Sequence, residues 1–216
     1  MFETIRPYVK GSTLEIGSGI GNISSEFVQA GMPITLSDLQ TDYCDRLHQR
    51  FDSERLVRGI HQLDLAHPSF ERTYGRLVNK FGTVFALNVV EHIADDNRAI
   101  ENASALLAPG GHLIILVPAY KALYNGLDRS LEHYRRYNRS SLRRLLAGKG
   151  FDILHTRYFN LAGIFGWLFS GSLFGKKTLP AGQINVYNTL VPLFRIADEI
   201  TFHQVGLSVI AVGRKH

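Results

Sequence analysis

The residues with the clearest chemical meaning lie in Glu15-Ile16-Gly17-Ser18-Gly19-Ile20-Gly21-Asn22. Glycines at alternate positions let the backbone approach a ligand closely and leave amides exposed at the start of a helix. A dinucleotide fingerprint needs its third glycine at position 22, where this chain has asparagine. The acid two residues upstream sharpens that distinction. Glu15 at a strand end sits poorly against a pyrophosphate and suits a ligand carrying an amino or sulfonium cation. Asp38 stands 21 residues after Gly17, where a carboxylate can accept hydrogen bonds from both hydroxyls of a ribose. Asp64, in Gln62-Leu63-Asp64-Leu65, can accept from an adenine amino group, and Asn88 closes a fourth apolar run. Each alone has a plainer reading, as a surface acid or the start of a helix. Four polar ends on four successive apolar runs point to a shared crevice.

Two histidines are candidates for taking a proton from an acceptor hydroxyl. His92 follows the fourth run beside Glu91, and His133 lies in Leu127-Asp-Arg-Ser-Leu-Glu-His-Tyr-Arg-Arg-Tyr137. The alternatives are a histidine packed at a helix start and a loop histidine bonded to backbone. Asn88, Glu91 and His92 have the i, i+3, i+4 spacing that would gather ligands on a helix. With one carboxylate among them, no metal is expected. Residues 129–149 carry seven basic residues against Glu132 alone. On a helix from 140, Arg143 and Arg144 fall outward as a solvated face, whereas the arginines of the preceding loop suit a phosphate or carboxylate.

These residues need a scaffold of alternating strands and helices. Apolar runs at 13–17, 33–37, 60–65, 83–88 and 113–117 read as strands, separated by helical patterns at 22–30, 40–51 and 92–107. That rhythm predicts a parallel sheet with helices on both faces. Residues 118–139 then form a polar, Tyr- and Arg-rich connection. Asn138 to Ser141 can cap a helix running to Lys149 and closed by Gly150. Strands follow at 151–157 and 207–212. Between them, 158–175 has no charged residue over 18 positions and reads as a buried or pocket-lining helix. Asn160 and the glycines and serines of this stretch argue against a membrane span. A surface for membrane or a greasy ligand is the alternative.

The chain has 216 residues, 45% hydrophobic and 20% charged, which fits one folded domain and excludes a disordered or repetitive chain. One cysteine and no signal-like start point to a reducing, cytoplasmic setting. The formal charge of +5 is unevenly spread, with −3 over residues 1–127 and +8 over 128–216. The two parts are expected to do different jobs.

Leu14-Glu-Ile-Gly-Ser-Gly-Ile-Gly-Asn22, Asp38, Asp64-Leu65 and Asn88-Val-Val-Glu-His-Ile93 resemble the successive motifs of class I S-adenosylmethionine-dependent methyltransferases. Val90-Glu91-His92-Ile93 followed by an acid is similar to small-molecule methyltransferases of the ubiquinone-biosynthesis type. The resemblance implies a Rossmann-like α/β fold, a seven-stranded sheet of order 3-2-1-4-5-7-6 with strand 7 antiparallel. It implies that S-adenosylmethionine is the cofactor, leaving as S-adenosylhomocysteine. Glu15, Gly17 and Gly19 would surround the methionine part, Asp38 the ribose, Asp64 and Leu65 the adenine, and Asn88 the carbon–sulfur region. Ser18, Gly21, Leu39 and Val89 complete the expected cofactor set. Related enzymes carry a His-x-Arg-x-Tyr-like stretch facing the acceptor, matched here by His133, Arg135 and Tyr137, with Tyr124 in the same connection.

Only about a dozen residues precede the first strand, room for one short helix, so 118–139 and 158–204 are expected to cover the acceptor. The expected reaction is methyl transfer to a small or lipid-like acceptor, at oxygen, by in-line displacement. A phosphate on the acceptor would suit the arginine loop, and an amphiphile would bring the protein to the inner face of a membrane without spanning it. A nucleic-acid methyltransferase is the first rival. Against it, the Asn/Asp-Pro-Pro-aromatic motif used on base amines is replaced by Asn88-Val89-Val90-Glu91. A cofactor-binding protein without transfer activity is the second.

Overall fold

The computed structural model describes residues 1–167 and 203–216. Its centre is one seven-stranded sheet, ordered β3-β2-β1-β4-β5-β7-β6. The strands are β1 (Thr13–Ile16), β2 (Ile34–Asp38), β3 (Val57–Gln62), β4 (Phe81–Leu87), β5 (Leu107–Pro118), β6 (Phe151–Phe159) and β7 (Ser208–Lys215). The first five pair in parallel, and β7 lies antiparallel between β5 and β6. This is the order and direction expected from the family resemblance. The helices are α1 (Phe2–Ile5), α2 (Asn22–Gln29), α3 (Thr41–Arg50), α4 (Phe70–Thr73), α5 (Asp96–Leu106), α6 (Gly126–Ser130), α7 (Arg139–Ala147) and α8 (Leu161–Trp167).

Alternate residues of each strand serve opposite faces. On one face Leu14, Ile16, Val84, Ala86, Leu113 and Ile115 pack with Ala99, Ile100 and Leu106 of α5 and Leu142 and Leu146 of α7. On the other, Leu36, Phe85, Ile114, Leu116 and Ile210 pack with Phe2, Phe27 and Leu47 from α1, α2 and α3. Covering both faces explains why these strands read as continuous apolar runs.

Three departures from the sequence reading bear on the site. β3 ends at Gln62, three residues before the predicted Leu65, and its last ladder contact is the Leu63 amide on the Asp38 carbonyl at 2.9 Å. It is an edge strand with a half-exposed, polar sequence, and the apolar signal came from Leu63 and Leu65, which enter the core from the loop beyond it. Asp64 therefore follows the strand rather than ending it. The helix predicted from His92 starts at Asp96, where the Asp95 side chain accepts from the Arg98 amide at 3.0 Å. Val90–His92 form a separate 3₁₀ turn, so Asn88, Glu91 and His92 do not share a helical face. Lastly, the stretch from Tyr158 does not begin as a helix: Tyr158 and Phe159 finish β6, Asn160 takes φ +68°, and α8 follows. Residues 168–175, and most of the expected 158–204 cover, lie outside the described residues. Among the described residues, no helix is long and apolar enough to cross a membrane.

Candidate active site

The carboxyl ends of β1, β2 and β4 meet at the glycine turn. Gly17, Gly19 and Gly21 all have positive φ, at +72°, +54° and +80°. A Cβ on Gly17 would lie 2.5 Å from the Val89 Cγ2, and one on Gly21 would lie 2.6 Å from the Phe51 ring. These two glycines hold the turn tight against β4 and α3. Gly19 differs: a Cβ there meets nothing within 4 Å, so its left-handed backbone borders open space. Ser18 fastens the turn to β2, its amide donating to the Ser37 carbonyl at 2.9 Å while its hydroxyl accepts from the Ser37 amide at 3.3 Å.

Two carboxyls flank the turn in contrasting surroundings. Asp38 accepts from the Gly19 amide at 2.9 Å and from the Gln40 amide at 3.0 Å. It thus ties the glycine turn to the loop after β2, and each oxygen keeps a further lone pair for a ligand hydroxyl. Glu15 is buried, with the Ser24 hydroxyl donating to its Oε2. Burial pushes its carboxyl up to about 8; hydrogen bonds from Ser24 and Ser18 oppose the rise and the Asp38 charge adds to it. Leu39 stands beside Asp38 with 59% of its surface exposed. Across the cleft, Asp64 accepts from the Ala66 amide at 2.8 Å, and Leu65 is buried with its carbonyl accepting from Asn102 at 2.8 Å. Asn88 is exposed with φ +56°, its amide donating to Leu116 at 2.8 Å. A non-glycine residue in that region is strained and re-aims the chain at the end of β4.

From Asn88 the chain leads at once to the histidines. The His92 amide donates to the Val89 carbonyl at 3.0 Å, within the turn that packs on Gly17. His133 arrives from the 118–139 connection, and the two imidazoles meet edge-on with centroids 4.7 Å apart. Burial and the neighbouring His133 lower the His92 pKa, against carbonyls of Leu131 and Glu132 that support its charged form. Both histidines, with Glu132 and Tyr134, line a cavity of about 440 Å³.

Asp128 organises this connection, and the sequence reading passed it over. Its carboxylate, 0% exposed, receives the His133 Nδ1 at 2.9 Å, the Arg136 Nε at 2.8 Å and the Asn125 amide at 2.9 Å. Burial alone would raise it; the hydrogen bonds from His133, Arg136 and Asn125 prevail and hold it below the ordinary carboxylate range. Arg136 also donates to the Ala119 carbonyl at 3.0 Å and stacks over Trp167 of α8, 4.5 Å from the ring centroid. One signal was legible: Asn125 and Asp128 form a capping box at the start of α6.

The other expected acceptor residues are engaged in building the same wall. The Tyr124 hydroxyl donates to the His133 carbonyl at 2.8 Å. Arg135 pairs with Asp96 at 2.8 Å, and the buried Tyr137 hydroxyl donates to the same carboxylate at 2.9 Å. Glu91, 0% exposed, points inward from the 3₁₀ turn, and neither carboxyl oxygen has a hydrogen-bond partner. Burial pushes it up to about 8, with the Arg136 charge offsetting part of the rise. Its backbone carbonyl accepts from the Tyr134 amide at 2.8 Å, locking the 3₁₀ turn to the connection.

Comparison with known proteins bears on the family and the fold. A family model described as a methyltransferase domain matches residues 5–156. A ubiquinone biosynthesis O-methyltransferase of Xanthomonas euvesicatoria is 30% identical over 104 residues, covering 47% of this chain and 41% of that protein. The chain thus spans less than half the length of this curated relative. Among solved structures, a methyltransferase-like protein of Bacillus halodurans superposes with a TM-score of 0.64 at 15% identity, covering 99% of this chain and 98% of that one. Phosphoethanolamine N-methyltransferase 2 of Haemonchus contortus, solved with S-adenosylmethionine, gives a TM-score of 0.61 at 19% identity, covering 96% of this chain and 49% of that one. At these identities the structural likenesses establish the fold.

Proposed function

The chain belongs to the methyltransferase domain family, whose class I members use S-adenosylmethionine, and from that premise we propose that it methylates a small or lipid-like acceptor at oxygen. The observation that carries the reading is the continuity of one wall, from the glycine turn through Val89 to His92 and His133. The residues fit the cofactor by their chemistry: Gly19 borders open space, Asp38 keeps lone pairs for ribose hydroxyls, and Glu15 supplies a carboxyl toward the methionine part. Leu39, Asp64 and Leu65 would flank the adenine, and Ser18, Gly21, Asn88 and Val89 would shape the remaining wall. When bound, S-adenosylmethionine supplies an electrophilic methyl group on a sulfonium sulfur.

The protein's own residues have two tasks. Positioning comes first, because in-line displacement gains most from alignment and exclusion of water. The 118–139 connection does this, with Tyr124, Arg135 and Tyr137 stiffening the wall that the acceptor touches. Proton transfer is the second. Asp128 engages His133 at Nδ1, which leaves Nε2 with the lone pair that takes the hydroxyl proton as the acceptor oxygen attacks. Arg135 and Arg136 are already held by Asp96 and Asp128, so a phosphate-bearing acceptor is favoured by the net +8 of residues 128–216 as a whole, and such an amphiphile would be met at the inner face of a membrane.

Titration calorimetry and a labelled-methyl assay test this reading. S-adenosylmethionine should bind and NAD should not, and Asp38→Ala should weaken binding by about 2–4 kcal/mol, the worth of two hydrogen bonds to a charged group. Label should pass to phenols or catechols, phosphorylated ones preferred, and His133→Ala should slow transfer with cofactor affinity unchanged. Tight NAD binding, or label recovered in nucleic acid, overturns the assignment.

A further inference from the structure

We propose that Glu91, His92 and His133 form a binding site for a divalent transition-metal ion of the zinc type. Each offers one ligand atom, and the three atoms lie within 4.8 Å of one another. Two imidazoles and a carboxylate are a donor set suited to zinc or iron(II), and three protein ligands leave positions open for water or substrate.

An independent observation points to a ligand. Glu91 is 0% exposed, and both its carboxyl oxygens lack a hydrogen-bond partner. Burying a polar group unsatisfied is costly, and each such group calls for an explanation. A cation seated between Glu91 and the histidines would satisfy it.

The surroundings match what ligand histidines require. The Asp128 carboxylate on the His133 Nδ1, at 2.9 Å, is the outer partner that fixes a ligating imidazole and leaves Nε2 for the metal. Arg136, the nearby cation, is already paired with Asp128 at 2.8 Å. The cavity beside His92 and His133, about 440 Å³, gives an ion a way in. Donors about 2.0–2.2 Å from a tetrahedral zinc stand roughly 3.4 Å apart, so the site closes slightly on the ion. His92, exposed on the cavity side, can supply that movement.

The inference rests on the methyl-transfer reading only for its consequence. With the cation in place both histidines would be ligands, so the His133 Nε2 would no longer be the base, and an acceptor hydroxyl at an open position would lose its proton to solvent water instead. The charge left on oxygen is balanced by the metal until that oxygen forms its bond to carbon and the carbon–sulfur bond breaks.

The test is a titration of the chelator-treated full chain with zinc chloride, with cobalt(II) absorption as a second readout. One equivalent should bind, cobalt should give the visible bands of a low-coordinate site, and His92→Ala or Glu91→Gln should weaken binding at least about tenfold. Asp128→Asn should weaken zinc by about 10–100-fold, as loss of an outer partner does. His92 is exposed, so its variant does not depend on core packing, and circular dichroism checks Glu91→Gln. No saturable binding, or equal affinity in the wild type and both ligand variants, overturns the metal site. S-adenosylmethionine affinity measured on the same samples separates the readings: cofactor binding without zinc binding removes the metal and leaves methyl transfer, and the reverse result does the opposite.

Discussion

At the scale of single residues, the site is defined by where polar groups are denied water. Glu15 and Asp38 are neighbours at the same turn, yet amides hold Asp38 while Glu15 sits in the interior with two serine hydroxyls. With its carboxyl raised to about 8, Glu15 is mostly neutral at pH 7 in the free protein. If a cationic ligand requires its ionised form, the dissociation constant should rise about tenfold per pH unit as pH falls below 8. Glu15→Gln should flatten that dependence, and calorimetry between pH 6 and about 9 would read both. An equally steep profile in the variant would remove Glu15 from cofactor binding. The same shift fixes the sign of its effect on folding. Unfolded, the acid ionises near 4.5, and folded near 8, so its contribution is fully present below 4.5 and is lost as pH rises through 8.

At the scale of elements, the 118–139 connection behaves as a strap whose buckle is Asp128. It gathers His133, Arg136 and the Asn125 cap, and Arg136 reaches on to Ala119 and Trp167. A buried charge left without its partner costs about 3–5 kcal/mol. Asp128→Ala should therefore lower Tm and open the strap to proteolysis, because Arg136, whose side chain is 1% exposed, would be stranded. The double variant Asp128→Leu with Arg136→Met should regain most of the stability while activity stays lost. A double variant no more stable than the single one would show that the pair is not the buckle.

At the scale of the whole molecule, charge is segregated. Residues 1–127 carry a formal −3 and 128–216 carry +8. Glu15 and Glu91 are two of the carboxyls behind the −3, and with both raised to about 8 the cofactor half is closer to neutral than the count says. The basic part dominates the long-range field. The protein should cosediment with phosphatidylglycerol vesicles at about 0.01 M salt and be released at about 0.5 M, where the Debye length has fallen severalfold. No binding to these vesicles at low salt would count against an acceptor presented at a membrane.

The sheet was legible from sequence because buried parallel strands impose unbroken apolar runs, and a turn at positive φ demands glycine. Gly17 to Gly21 and Asp38 could therefore be read before any coordinates, whereas the antiparallel β7–β6 pairing was implied by the family resemblance and not by the apolar pattern. β3 could not be bounded that way, since Leu63 and Leu65 contribute apolar side chains to the core from a loop. The pairing of His133 with Asp128 depends on the fold of the strap, and the meeting of His92 with His133 joins residues 41 positions apart. Burial, which sets the charge of Glu15 and leaves Glu91 without partners, is a property of what packs around a side chain. Local pattern determined the scaffold and the cofactor turn; only tertiary packing decided which polar groups face one another without water, and so where the chemistry lies.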